Sequence, residues 1–278
     1  MRKDKLLKEW YDFNIKYWKA LKLRAKLHGH LENSEALPQH IFDESEPIFV
    51  LSTGRVGTML LTRLFELEKG LHIEHEALPE MLLTSKTAYV TRDISFAKGA
   101  FLAGRYEAIR DYQLSGLRYV ETNNRLTFFA PAIAELFPKA KFIHLVRHPS
   151  SFISSGMQRK WYTGQSITDE GRISPPESLN LMSRSDKIAW LWNTTNEYIE
   201  NFKRSISVER VYTLQSEKLF TNVDEAISLM KWLKFQTQPD LAKKIIDTPV
   251  NKSKTKKKYH SYDKSLTPLS KLYYPESD

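Results

Sequence analysis

The 278-residue chain contains no cysteine, which excludes disulfides, thiolate metal sites and a catalytic thiol. It has no run of about 18 or more apolar residues, so no transmembrane helix is expected. The opening residues, MRKDKLLKEWYDFNIKYW, lack the uninterrupted apolar segment of a secretory leader. Together these absences make a cytoplasmic protein the expectation. There is no internal repeat, and no linker divides residues 46–247. With 41% hydrophobic and 27% charged residues, the chain can bury a substantial core. The organisation expected is one domain over 46–247, with an extension (1–45) before it and a tail (248–278) after it.

Negative charge is in short supply. Lys and Arg number 42 against 33 Asp and Glu, for a net charge of +9. Such a balance suits an anionic ligand, a nucleic acid or an acidic membrane surface. Much of the excess sits at the ends, in Arg2, Lys3, Lys5 and Lys8 and in NKSKTKKKYH (251–260). Leu6, Trp10, Phe13, Tyr17 and Leu21 recur at helical spacing, which predicts a basic amphipathic helix that packs on the domain or lies on a membrane surface. The ends carry no recognised RNA- or DNA-binding module, so nucleic acid is not the expected partner. The tail reads as flexible and solvated.

Between the ends, apolar runs alternate with helical patterns. Strands are predicted at 47–52, 71–77, 118–123, 141–147 and 211–216. Helices are predicted at 57–70, 92–115, 126–137 (interrupted by Pro131), 149–160, 184–205 and 223–235, with a long loop or lid over 163–182. This alternation predicts an α/β fold of three layers, a central parallel sheet flanked by helices.

The most informative absence is a single lysine. Residues 47–58, PIFVLSTGRVGT, run from an apolar strand through a loop with two glycines into a helix. Backbone N–H groups and the positive end of a helix favour an anion at such a turn. A nucleotide triphosphatase would need G-x-x-x-x-G-K-[ST] there. Counted from Gly57, Thr58 stands where the lysine belongs, and Arg55 sits between the glycines. That excludes the ATPase and GTPase readings. A second anion site follows in KFIHLVRHPSSFISSG (141–156), where Arg147 leaves a strand and serines line the next helix. Two such sites on neighbouring strands point to a ligand with two separate anionic groups.

PIFVLSTGRVGTMLL resembles the 5′-phosphosulfate loop of sulfotransferases, and KFIHLVRHPSSFISS resembles their 3′-phosphate motif, with Arg147 and Ser155 at the family's spacing. The similarity extends over roughly 46–247 through KIAWLWNTTNEYIENF and RVYTLQSEKLFTNVDEAISLMKWL. It implies a P-loop-like sulfotransferase fold and transfer of a sulfuryl group from 3′-phosphoadenosine 5′-phosphosulfate (PAPS) to a hydroxyl or amine, with no metal. Thr53, Gly54, Arg55, Val56, Gly57 and Thr58 would hold the phosphosulfate, and Arg147 and Ser155 the 3′-phosphate. Arg55 would also steady the leaving phosphate. Glu76, placed after Arg55 much as the catalytic glutamate is in protein-tyrosine sulfotransferases, is the expected base, with His75 as its rival. Strand alternation predicts that only one of these neighbours points inward. A metal site at His72, His75 and Glu76 is not expected, because strand ligand pairs prefer i, i+2 and no third cluster is evident.

In one place the chain departs from the family. Where a lysine often precedes the helix leading to the Arg147 strand, the sequence reads ETNNRLTFF. Asn123, Asn124, Arg125 or a lysine of 251–258 are the candidates to replace it. The departure motivates an alternative, a catalytically degenerate relative that binds an anionic nucleotide, a membrane surface or a partner. The segments 78–117 and 161–183 carry no signature of the acceptor. Carbohydrate, tyrosine peptide, lipid and small phenol all fit.

Overall fold

The computed structural model describes residues 37–165, 169–177, 181–248 and 260–275. The anticipated amphipathic helix of the first thirty residues and the lysine-rich run 251–258 lie outside the described residues.

Five parallel strands form the sheet: β1 (Ile48–Leu51), β2 (Leu71–His75), β3 (Arg118–Thr122), β4 (Lys141–Val146) and β5 (Val211–Gln215). Their order is β2-β3-β1-β4-β5. The four side chains of β1 are all fully buried, as expected of a central strand covered on both faces. They alternate between two cores. Phe49 and Leu51 join Phe101, Phe129 and Phe142 on one face, while Ile48 and Val50 join Leu61, Ile143 and Leu229 on the other.

The helices, in chain order, are α1 (Gln39–Glu44), α2 (Thr58–Phe65), α3 (Leu82–Thr91), α4 (Ile94–Leu114), α5 (Ala130–Leu136), α6 (Pro149–Gln158), α7 (Arg184–Lys203), α8 (Ser216–Thr221), α9 (Val223–Trp232), α10 (Pro239–Asp247) and α11 (Ser270–Tyr273). Several boundaries differ from the sequence expectation, each for a local reason. The helix after β1 stops at Phe65, short of Gly70. The stretch expected as one helix over 92–115 is two. Arg92 adopts a left-handed φ of 54°, and the Asp93 carboxylate caps α4 by accepting from the Ser95 and Phe96 amides. Pro131 does not interrupt a helix. A 3-10 segment, Asn124–Phe129, hands over to α5, and Pro131 occupies its first turn, where a missing N–H costs little.

Residues 260–275, which the sequence assigns to a basic tail, lie against the domain. Tyr273 is buried and donates its hydroxyl proton to Glu200 on α7 (2.6 Å), while Tyr274 donates to Glu217 on α8 (2.7 Å). Tyr273 belongs to a third apolar cluster with Phe152, Trp161 and Trp192.

The strand order positions the site. From β1 the chain crosses towards the β2 edge, whereas from β4 it crosses towards β5. β1 and β4 are neighbours, so their loops diverge and leave a crevice at their carboxyl ends, where open α/β sheets bind ligands.

Candidate active site

The turn after β1 is built from unusual backbone. Gly54 and Gly57 have φ values of +77° and +98°, and Arg55 between them sits at +57°. A non-glycine residue in the left-handed region stores strain of roughly 1–3 kcal/mol and tends to cluster at ligand sites. A Cβ on Gly57 would stand 2.5 Å from Phe220 Cζ, and one on Gly54 would stand 3.1 Å from Asn124 Cγ. The turn is therefore closed to bulkier residues by conformation and by its neighbours. Thr127 pins the end of β1 by accepting from the Ser52 amide and donating to the Ser52 carbonyl, both at 3.0 Å.

The two loops predicted to hold anions meet. Arg147 Nη1 donates to the Arg55 carbonyl (2.7 Å), and the Arg147 carbonyl accepts from the Trp192 indole (2.8 Å). The buried Ser216 hydroxyl lies within hydrogen-bonding reach of the Val56 and Val146 carbonyls, lacing the loop to the end of β4. A cavity of about 1210 Å³ opens over this junction. Thr53, Gly54, Arg55, Gly57, Thr58, His75, Glu76 and Arg147 all line it. Val56 does not. Its side chain is buried in the core beneath α2, leaving only its main chain to face an anion. Ser155 also lies outside the lining, half-buried on the second turn of α6.

Three more arginines reach the cavity: Arg125, weighed from the sequence as a replacement for the missing lysine, and Arg159 and Arg172, which the sequence did not single out. At the phosphate end, burial lowers the pKa of Arg55, and repulsion from Arg159 and Arg147 lowers it further, against an opposing pull from Glu76. Burial likewise lowers that of Arg147, opposed by Glu217 and Tyr274. Guanidinium groups stay charged through such shifts. The result is a partly desolvated cluster of positive charge, which an anion would relieve. The opposite end is more balanced. Arg125 lies 3.9 Å from both Glu76 and Glu80, and Arg172 stacks over Trp161 at 3.9 Å while bonding Asp169.

The β2 end does not follow simple alternation. β2 stops at His75, and Glu76 turns left-handed with φ 49°, so both neighbours face the cavity. The turn is held from behind. Arg105 is almost wholly buried, forms a two-pronged ion pair with Glu121, and donates to the Ala77 and Pro79 carbonyls. Tyr119 and Asn123 complete the Glu121 shell. This occupation removes Asn123 from the candidates for the absent lysine. Asn124 and Arg125 remain, since both line the cavity, and no lysine does among the described residues. His72 is bonded to Glu74 at 2.7 Å and stacked on Tyr112, so it does not join His75 and Glu76.

The model of the sulfotransferase family matches residues 47–238. The chain belongs to that family. Among solved structures it is similar to the sulfotransferase STF9 from Mycobacterium avium, at a TM-score of 0.54 and 14% identity over 92% of this chain and 81% of that one. It is similar also to the sulfotransferase domain from the curacin biosynthetic pathway, at 0.50 and 19% identity over 71% and 76%. Identities this low speak for the fold alone. No curated protein matches the sequence at the significance those structures reach. The chain carries its glycine-arginine turn on the strand beside that of its second arginine, and the sheet brings the two together.

Proposed function

We propose that this member of the sulfotransferase family moves a sulfuryl group from PAPS to a hydroxyl or amine by in-line displacement. The observation that carries the proposal is the meeting of Arg55 and Arg147 at the carboxyl ends of adjacent strands, with Arg159 beside them and two left-handed glycines opening the main chain between them. The residues present fit a donor with a phosphosulfate at one end and a 3′-phosphate at the other. When bound, PAPS supplies an activated sulfuryl group whose bond to the bridging phosphate oxygen breaks on transfer.

The protein's part is positioning and charge, as in phosphoryl transfer, where little covalent work falls to the enzyme. Arg55 and the amides of Gly54 to Thr58 would steady the departing phosphate, a kind of contact whose removal costs about 3–4 kcal/mol of transition-state stabilisation. Arg147 would hold the 3′-phosphate, and Arg159 would add to the field around Arg55. Asn124, against the Gly54 turn, would take the place of the family lysine. Two groups stand ready to accept the acceptor's proton, the His75 imidazole and the Glu76 carboxylate.

The test is a screen of carbohydrate, tyrosine-peptide, lipid and phenol acceptors with sulfur-labelled PAPS, run beside calorimetric binding of adenosine 3′,5′-bisphosphate. Label transfer to one class supports the reading. Nucleotide binding without transfer to any class would instead favour a binding protein, and absence of both would overturn the assignment of the site.

A further inference from the structure

His75 ends β2 opposite Thr122, its partner in the parallel register with β3. Its Nδ1 lies 2.8 Å from the Thr122 hydroxyl and 3.1 Å from the Thr122 carbonyl oxygen. The Thr122 hydroxyl is 2.8 Å from that of Thr62, and Thr62 donates to the Thr58 carbonyl at 2.9 Å. Both threonines are buried. Each hydroxyl has a single proton to give, and a carbonyl oxygen can only accept. The direction of the chain follows. Were Nδ1 unprotonated, its lone pair would face the Thr122 carbonyl across 3.1 Å, and Thr62 would have to turn its proton away from Thr58. With Nδ1 protonated, His75 donates to Thr122, Thr122 to Thr62 (the Glu74 carbonyl, at 3.5 Å, is its more distant alternative acceptor) and Thr62 to Thr58, and every proton meets an acceptor.

We propose that Thr122, backed by Thr62, is a positioning residue that holds His75 in the Nδ1–H tautomer and so makes Nε2 the base of the reaction. Among the described residues no protein group bonds Nε2, and the ring lines the cavity. The inference rests on the sulfuryl-transfer reading given above. In the step it describes, the O–H (or N–H) bond of the acceptor breaks, an N–H bond forms at Nε2, and the electron pair stays on the acceptor atom that goes on to bond sulfur. The positive charge gained by the ring strengthens the Nδ1–H bonds to Thr122 during the step. Glu76 has a different occupation. It is placed to steady Arg55 and lies 3.9 Å from Arg125. The relay ends at Thr58, the first residue of α2, so the base is tied to the helix that carries the phosphosulfate turn.

The experiment is a long-range proton–nitrogen NMR spectrum of nitrogen-15-labelled protein above the histidine titration range, with the His75 ring assigned by its loss in His75→Gln. A protonated Nδ1 and a bare Nε2 are expected. Thr122→Val, which keeps the carbonyl but removes the hydroxyl, should leave the ring Nδ1–H with one acceptor instead of two, shift its proton and nitrogen resonances, lower kcat on the order of 10-fold and leave the KM for PAPS within about 2-fold. Thr122→Ser, which keeps the hydroxyl, should restore both the spectrum and the turnover. Glu76→Gln should keep the wild-type ring spectrum and lose less kcat than Thr122→Val. An Nε2–H tautomer in the wild type, or a Thr122→Val enzyme with wild-type kcat, would overturn the proposal. Should Thr122→Val fail to fold, the wild-type spectrum and the Thr122→Ser variant still decide it. Failure to bind adenosine 3′,5′-bisphosphate would instead bring down the sulfotransferase reading, while the ring spectrum would stand.

Discussion

At the scale of single residues, the proposed function gives the two arginines that meet over the β1–β4 crevice separable roles. Arg55 lies inside the glycine turn, where charge would collect on a departing phosphate, and its pKa is depressed by burial and by Arg159 and Arg147. Arg147 is anchored by Trp192 and by the Arg55 carbonyl. Arg55→Ala should therefore lower kcat by about 10²–10³-fold. Arg147→Ala should mainly raise the KM for PAPS. Steady-state kinetics with labelled donor distinguishes the two patterns, and undiminished activity in either variant defeats the role assigned to that arginine. That both arginines would stand at neighbouring anion sites was legible in the paired motifs, a glycine-arginine turn after one strand and an arginine ending another. Arg159 and Arg172 were not legible. Each follows a different element, and nothing local marks an arginine at a helix end or in a loop as facing a common cavity. Arg159, just past the end of α6, stood closest to a visible signal, since that helix begins two residues after Arg147.

At the scale of elements, the β1–α2 turn shows why its glycines are needed. Gly57 is the N-cap of α2 at φ +98°, a backbone conformation that L side chains rarely adopt. Gly57→Ala should cost roughly 1–3 kcal/mol in chemical denaturation and weaken adenosine 3′,5′-bisphosphate binding. Adding Phe220→Ala removes the 2.5 Å approach but leaves the backbone cost, so affinity should return only in part. Full recovery in the double variant would show that sterics alone governed the turn. The end of β2 makes a complementary point. Alternation along a strand predicts one inward neighbour of the pair His75 and Glu76, but alternation holds only while the strand continues. The Arg105–Glu121 pair, with Glu121 at 0% exposure, grips the Ala77 and Pro79 carbonyls just beyond and holds Glu76 in a left-handed turn. Arg105 lies 29 positions downstream of Glu76, on another element, so no local pattern announces the effect.

At the scale of the whole molecule, the return of residues 260–275 to the domain stabilises the fold through titratable contacts. Burial alone would raise the Glu200 pKa. The neighbouring His144 and the hydrogen bonds from Lys203 and Tyr273 outweigh it and bring the value down to about 2. A carboxylate whose folded pKa lies below its unfolded value, here near 4.5, contributes stability that is fully present above the unfolded value. That contribution is lost as the pH falls from about 4.5 towards 2, because the unfolded chain then binds the proton more readily. Stability measured by denaturant should accordingly fall across that window, and Tyr273→Phe should flatten the fall by removing one of the bonds that depress the pKa. An unchanged slope in Tyr273→Phe would show that the docked segment does not act through Glu200.

What the sequence alone determined is whatever a few adjacent residues can carry. The period of apolar runs marks the strands and helices, and hence a covered parallel sheet. Glycines and an arginine at a strand end mark the first anion turn, and an arginine before His-Pro at another strand end marks the second. The tertiary structure alone decided which residues stand opposite one another. Parallel strands are joined by crossovers that leave their register free, and long-range packing sets it. That register puts Thr122 beside His75, makes it the support of an imidazole, and gathers arginines from five segments around one cavity.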